Sequence, residues 1–343
     1  MKVLIYEFVA GGGAFACNMT PEGPLLDEGR AMVEAVARDW AALPGAEVDL
    51  AWDSRLEPDR TLNVRFRFID SEQEERDLLD SSGEYDVTIV IAPELAHALL
   101  ERVQWVEQAG GALLCPGSAT VSVGADKLAT EAVLRSAGDN GSGRVCMIPS
   151  IPWDEFCKFE GSYRGNWVVK PRDGVGGERV ICVGSVKQAC EIVTPDIRST
   201  YLVQPYVPGK PASVAALGGP TPVILPPSAQ SIVWKKGAPL YGGGEILTDP
   251  DEIQMAHDAM RFALAKLPPF VGYLGVDLIL TPDGPRIVEV NPRMTTSYVG
   301  ARAAIDESLA DLTLRVARGE AIPSPRVTRC VRYDTRGGVE PMN

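Results

Sequence analysis

Asp277, Glu289 and Asn291 sit on two short, β-branched-rich runs, Val276–Leu280 and Arg286–Asn291, joined by the turn residues Thr281-Pro282-Asp283-Gly284-Pro285. The stretch reads as a β-hairpin. A symmetric five-residue loop places Asp277 directly across the ladder from Glu289, and strand alternation turns Glu289 and Asn291 to the same face. Opposed carboxylates repel in a bare hairpin, and a divalent cation between them removes the objection. Three hard oxygen ligands on one rigid face suit Mg²⁺, with Mn²⁺ as its substitute. Arg293, two residues beyond Asn291, adds a fixed cation beside the candidate metal site. A slip of one residue would send the acids to opposite faces. The competing reading is a solvated acidic hairpin tip whose carboxylates pair with Arg286 and Arg293.

Cationic and glycine-rich stretches supply complementary chemistry. Asp126 caps a helix running to Ser136 and stopped by Gly138, with Lys127 in its first turn, where the helix dipole disfavours a cation. A polar loop, Asp139–Gly143, follows. Lys170 ends a strand, Asn166–Lys170, and Pro171–Glu178 (PRDGVGGE) leads into a second strand, Arg179–Val183. Gly174, Gly176 and Gly177 let backbone N–H groups converge on an anion, and Lys170 adds charge. Neither Walker A spacing nor a following helix is present, so this is a strand-loop-strand phosphate flap. The strand Tyr201–Tyr206 runs into Pro208-Gly209, a hinge where Gln204 and the backbone could read a purine edge in an apolar slot. The ordinary alternative is an edge strand ended by proline.

These groups need elements to hold them. Lys2–Phe8 reads as a buried strand, followed at once by Gly11-Gly12-Gly13, a flexible loop at a strand's carboxyl end and a place for substrate to bind. Gly11, Gly13 and Ala16 fit a GxGxxA dinucleotide fingerprint, which makes an NAD-dependent oxidoreductase the rival hypothesis. That fingerprint needs a helix starting there, whereas Pro21, Gly23 and Pro24 keep the chain irregular and apolar periodicity begins only at Leu25. Asp53, at the end of the Val48–Trp52 strand, also lies later than the ribose contact requires. Strands Tyr85–Ala92 and Ala112–Leu114 flank a helix, Glu94–Gln108, completing a parallel β-α pattern that ends near Cys115. Val214–Leu217, Val223–Leu225 and Ser231–Trp234 look like further strands of the sheet holding Tyr201–Tyr206. A helix over Asp251–Leu267 precedes the hairpin, and another covers Leu309, Leu312 and Val316. Residues after Gly319 carry scattered prolines and glycines and point to nothing. The expected division is 1–115, 116–205, 206–325 and a tail, 326–343.

The 343 residues allow two or three domains, and 45% hydrophobic and 23% charged residues are an ordinary globular composition. A net charge of −13 disfavours nucleic acid and anionic membrane as partners. No apolar run approaches a membrane span, and Glu7 breaks the first apolar run, so it reads as a strand and not as a signal peptide. Seven cysteines without CxxC spacing read as reduced thiols in a cytoplasmic protein. With only His97 and His257 and no HExxH or GxSxG, zinc hydrolysis and serine-triad chemistry have no residues to use.

In one order with sensible spacing, ADK at Lys127, VVKPRDGVGGERV at Lys170, VQPYVPG at Gln204, GVDLIL at Asp277 and VEVNPR at Glu289 resemble the ATP-grasp superfamily over roughly residues 115–320. The resemblance implies an α/β chain, α+β in its ATP-binding part, with a parallel β-α domain ahead of two lobes that clasp ATP. It implies that Lys127 and Lys170 hold phosphates under a flap containing Asp173, Gly174, Gly176 and Gly177. Gln204, Pro205, Tyr206 and Val207 would bind adenine, Asp277, Glu289 and Asn291 would hold Mg²⁺, and Arg293 would act in catalysis. Where the family usually places an acidic ribose-binding residue after the hinge, this chain has Lys210-Pro211-Ala212. The first residues, LIYEFVAGGGAF and PLLDEGRAMVEAV, look like the subgroup that includes tyramine-glutamate ligase of methanofuran synthesis. The expectation is an ADP-forming ligase that joins a carboxylate such as glutamate to an amine such as tyramine or tyrosine through an acyl phosphate. A non-catalytic ATP-binding regulator of the same fold is the alternative. Gly12, Gly13, Arg30, Arg172 and Arg302 are candidates for substrate binding, the arginines for a spare carboxylate. Both substrates are small molecules, and a homodimer is the commonest soluble assembly.

Overall fold

A computed structural model describes residues 1–136, 145–158, 165–174, 177 and 179–342 of the chain. Its first unit is a parallel sheet ordered Arg65–Ile69, Glu47–Asp53, Lys2–Glu7, Val87–Ile91. Val3 to Tyr6 are almost wholly buried, as strands covered on both faces require. The sequence reading omits the Arg65–Ile69 strand, although its alternating arginines and phenylalanines have the period of an edge strand, with Arg65 on Asp49 and Arg67 on Asp77. Ala112–Leu114, expected as a strand, contributes only an isolated parallel bridge between Leu113 and Thr88.

One helix of this unit spans Gly23–Ala41 and starts before Leu25, because Pro24 occupies the first turn, where a missing N–H costs nothing. A single helical turn, Gly13–Ala16, does follow the glycines. The expected Glu94–Gln108 helix is broken: a short turn, Leu95–His97, precedes Ala98–Gln108, and Ala96 and His97 take φ of 48° and 64°.

Two further sheets make up the rest. One is antiparallel and ordered Ile151–Pro152, Tyr201–Pro205, Trp167–Pro171, Ile181–Val183. The other runs Val339–Pro341, Val331–Tyr333, Ala238–Ile246, Ser228–Lys235, Lys210–Gly218, Gly272–Thr281, Gly284–Asn291, Cys146–Met147, with Val223–Ile224 beside Lys210–Gly218. The Tyr201 strand and the strands after it therefore belong to different sheets, contrary to the sequence reading. The chain crosses between them at Pro208-Gly209, and a Cβ on Gly209 would lie 2.5 Å from both Ile279 Cγ2 and the Leu280 carbonyl oxygen. The tail also differs from expectation, since it adds two strands to the edge of the large sheet.

One hydrophobic core joins the first unit to the large sheet: Val33, Val36 and Trp40 pack in a cluster with Leu217, Tyr273, Tyr298 and Leu312. Asp39 reinforces the junction by accepting hydrogen bonds from Tyr298 Oη at 2.7 Å and Arg302 Nη2 at 2.6 Å. The carboxyl end of the first strand is thereby fixed against the other sheets. Among the described residues, no helix is long and apolar enough to cross a membrane.

Candidate active site

The hairpin has the expected pairing for an unexpected reason. Its turn is tight, with Thr281 opposite Gly284 and Leu278 opposite Ile287, a register that would set Val288 against Asp277. A bulge at this point restores Asp277 to Glu289 and Gly275 to Asn291. Bulges re-aim side chains, and here the extra residue keeps both acids on one face. Asn291 Nδ2 donates to Asp277 Oδ2 at 3.0 Å, and Gln230 Nε2 donates to Asp277 Oδ1 at 3.1 Å.

Glu289 is balanced from the opposite side. Lys127 Nζ lies 3.3 Å and Lys170 Nζ 3.6 Å from its Oε2. Burial alone would raise the Glu289 carboxyl, but the two ammonium groups overcome it and hold the carboxyl well below its ordinary range. Asp277 moves the other way, raised by burial and by the neighbouring Glu289 charge. Burial also lowers the Lys170 ammonium to about 8, against the pull of Glu289. Two opposed carboxylates, one of them forced toward its neutral form, together with an amide whose Oδ1 can be a ligand, are a donor set that fits a small divalent cation. Asp277, Glu289 and Asn291 are the residues that would hold it.

This cluster forms one wall of a cleft of about 290 Å³ lined by residues from all three sheets. Lys127, Lys170, Gly174, Gly177, Gln204, Pro205, Tyr206, Val207, Asp277, Glu289, Asn291 and Arg293 all line it. Gly176 lies outside the described residues, as does the Asp139–Gly143 loop. Lys127 Nζ also donates to the Gly174 carbonyl at 3.1 Å, tying the flap to the helix start. The lysine that the dipole disfavours is thus held by carbonyl oxygens and a carboxylate. Gln204 Nε2 is used within the protein, donating to Ser150 Oγ at 3.0 Å, and the Tyr206 ring stands edge-on to Trp234 at 6.1 Å.

Asp173 does not line the cleft: its Oδ2 accepts from Ala96 N at 3.1 Å, linking the flap to the broken helix of the first unit. Gly12 and Gly13 also lie elsewhere. Gly12, at φ 95°, opens the helical turn, and Gly13 packs where a Cβ would meet Tyr6, Phe8 and Glu74, so these glycines serve close packing in the first unit. Arg30 pairs with Glu34 and the Glu57 carbonyl, Arg172 with Asp126, and Arg302 with Asp39; none of the three lines the cleft. Arg293 does line it, but it is anchored: Nε reaches both Glu94 oxygens at 3.0 Å, and Nη1 donates to the Met294 carbonyl at 3.0 Å.

Sequence reasoning missed the acidic side of the cleft. Glu7, Glu28 and Gly29 of the first unit line it, as do Trp234, Pro239 and Tyr241 of the Ser228–Lys235 and Ala238–Ile246 strands. The signal for Glu7 was its position, a charged residue closing an otherwise apolar strand at the carboxyl end of a parallel sheet.

Residues 125–297 match the ATP-grasp domain, and residues 46–121 match the pre ATP-grasp 3 domain. A stretch of 123 residues, 36% of this chain, is 31% identical to tyramine–L-glutamate ligase of Methanocaldococcus jannaschii and spans 38% of that relative's length. In fold, the chain is similar to an ATP-grasp superfamily protein from Archaeoglobus fulgidus (TM-score 0.69, 19% identity, covering 97% of this chain and 92% of that one). It is also similar to the ADP complex of N5-carboxyaminoimidazole ribonucleotide synthetase (TM-score 0.69, 17% identity, 96% and 80% covered). An L-amino acid ligase from Bacillus licheniformis is a further structural neighbour (TM-score 0.67, 15% identity, 96% and 78% covered).

Proposed function

Because the chain belongs to the ATP-grasp family, we propose that it is an ATP- and magnesium-dependent ligase that joins a carboxylate to an amine and releases ADP and phosphate. Glutamate with tyramine or tyrosine is the substrate pair we assign first, in keeping with the partial match to the tyramine–glutamate ligase. The observation that carries the reading is the pairing of Lys127 and Lys170 with Glu289 directly opposite Asp277, on a wall of the cleft that Gln204 to Val207 also line. Two buried ammonium groups sharing one carboxylate are a ready counter-charge for a triphosphate, with the base beside Gln204, Pro205, Tyr206 and Val207.

A carboxylate is a poor electrophile at neutral pH because hydroxide is a poor leaving group. In this reading the substrate carboxylate oxygen attacks the γ-phosphorus in line, the bond to ADP breaks, and an acyl phosphate forms. The amine, as its free base after losing a proton to solvent, then bonds through nitrogen to the acyl carbon as the carbon–oxygen bond to phosphate breaks, and the second proton leaves with the phosphate. Lys127 and Lys170 offset charge on the transferring group, and the anchored Arg293 faces the oxyanion that develops at the acyl carbon. A divalent ion on Asp277, Glu289 and Asn291 would supply Lewis-acid charge to the phosphates. No protein nucleophile is required, which agrees with the absence of histidine among the cleft-lining residues.

The test is a coupled ADP-release screen with Mg²⁺ across amino acids and amines, opening with glutamate plus tyramine. ADP and phosphate released together support the reading, and AMP with pyrophosphate would overturn the acyl-phosphate route. A thermal-shift panel adds the class distinction: ATP should stabilise the protein and NAD should not.

A further inference from the structure

The cleft carries both signs of charge: Lys127 and Lys170 line it together with Glu289 and Asp277, and on the side of the first unit so do Glu7 and Glu28. Arg293, the cation on that side, is matched by Glu94, both of whose carboxylate oxygens lie 3.0 Å from its Nε. Its charge still acts on Glu7, but lowers that carboxyl by less than burial raises it.

Glu7 is built as a fixed carboxylate. It is 2% exposed and ends the strand Lys2–Glu7, at the carboxyl edge of a parallel sheet, where open α/β sheets bind ligands. Its Oε2 accepts from the backbone N–H groups of Val9 at 3.0 Å and Ala10 at 2.7 Å. Its Oε1 accepts no hydrogen bond from the described residues. That oxygen looks at Gly29, where an added Cβ would come within 2.8 Å, and Gly29 itself lines the cleft. The carboxylate thus packs against the helix backbone at Gly29, an approach that a side chain there would block. With Oε2 clamped by backbone N–H groups, Oε1 is the acceptor that Glu7 has left to offer a ligand in the cleft it lines.

We propose that Glu7 receives the ammonium group of the amine substrate through Oε1 and sets it facing the activated carboxyl carbon, where it gives up one proton to solvent before the free amine attacks, so that Glu7 determines the enzyme's preference for a cationic amine. This rests on the ligase reading above. Burial pushes the Glu7 carboxyl up to about 7, against the backbone N–H groups of Ala10 and Val9 and the Arg293 charge, and a docked ammonium supplies the counter-charge it lacks.

The experiment compares two acceptors with glutamate and ATP saturating. The first is a panel of primary alkyl- and arylalkylamines that includes tyramine, all cationic at neutral pH. The second is hydroxylamine, uncharged at that pH, which traps acyl phosphate as a hydroxamate without needing an anion to hold it. Glu7→Gln keeps the length and an acceptor oxygen but removes the charge, and Gly29→Ala displaces Oε1 while leaving the charge in place. Both should lower kcat/KM for the amines by about 30- to 100-fold, mainly through KM, and leave hydroxamate formation within twofold of the parent protein. Equal losses with both acceptors, or no loss with either, would overturn the proposal, as would a parent protein that forms hydroxamate but accepts none of the amines. A parent protein that forms no hydroxamate with any acid would instead overturn the ligase reading.

Discussion

Replacing Glu289 with glutamine removes the one carboxylate shared by Lys127 and Lys170. At 3.3 and 3.6 Å, each attraction is about 5 kcal/mol at an effective dielectric of 20, much of it offset by desolvation. Leaving a buried charge without its partner costs about 3–5 kcal/mol, and the 23% exposure of the Glu289 side chain sets the value near the lower end, about 3 kcal/mol. The loss should depend on pH in a defined direction. The Lys170 ammonium titrates near 8 in the folded protein, lowered from 10.5, so its charge disfavours the fold below that value and the handicap fades as pH rises through 8 toward 10.5. Without Glu289 the handicap grows, so Glu289→Gln should be destabilised more at pH 6 than at pH 9, where Lys170 has lost most of its charge in the folded protein. Urea unfolding of the nucleotide-free parent and variant at the two pH values reads this directly. Equal stability at pH 6, or the same deficit at both, would refute the assignment of the two lysines to Glu289. Turnover should be lost at every pH, since the same carboxylate is a metal ligand in this account.

Arg293→Lys keeps the charge but loses the guanidinium contacts to Glu94 and Met294; turnover should fall about 100-fold with little change in ATP affinity, measured by steady-state kinetics and nucleotide titration. Gly209→Ala forces a methyl to within 2.5 Å of Ile279 and the Leu280 carbonyl, and should lower stability by about 1–3 kcal/mol in denaturant unfolding; an unchanged midpoint would mean that the crossing between sheets is not tight. The Glu7 carboxyl is raised in the folded protein from 4.5 to about 7, so the stability it contributes is fully present below 4.5 and is lost as pH rises through 7. The separation is worth about 3 kcal/mol, so the parent should lose that much relative to Glu7→Gln between pH 4.5 and pH 8, and a constant difference would contradict the burial argument.

The parts of the site that local chemistry dictates were legible. Lysine at a helix start, lysine before a glycine-rich turn, and acids at period-two spacing on a hairpin each announce themselves within a few residues. The opposition of Asp277 and Glu289 was anticipated from a symmetric loop, yet it arises from a tight turn plus a bulge at Val288, a compensation that spacing cannot distinguish. Strand membership was harder to read. Tyr201–Pro205 and Lys210–Gly218 are separated by a short crossing, but pairing partners far along the chain put them in different sheets. The acidic part of the cleft was hidden for a related reason: Glu7 and Glu28, which line it, and Glu94, which holds Arg293, come from the first unit and come together with the hairpin because the shared core docks that unit against the large sheet. The arginines proposed for substrate failed to reach the cleft because nearby acids and carbonyls, such as Asp39 for Arg302, hold them elsewhere.

Activation of a carboxylate by the γ-phosphate of ATP at the cluster of Lys127, Lys170, Asp277 and Glu289 is the central step of the proposed reaction. Turnover of ¹⁸O-carboxylate-labelled glutamate, or of whichever acid the ADP-release screen selects, followed by mass spectrometry of the products, tests this most directly. One labelled oxygen should appear in the released inorganic phosphate and none in the nucleotide. Label carried into AMP, or phosphate released without label while amide accumulates, would contradict it.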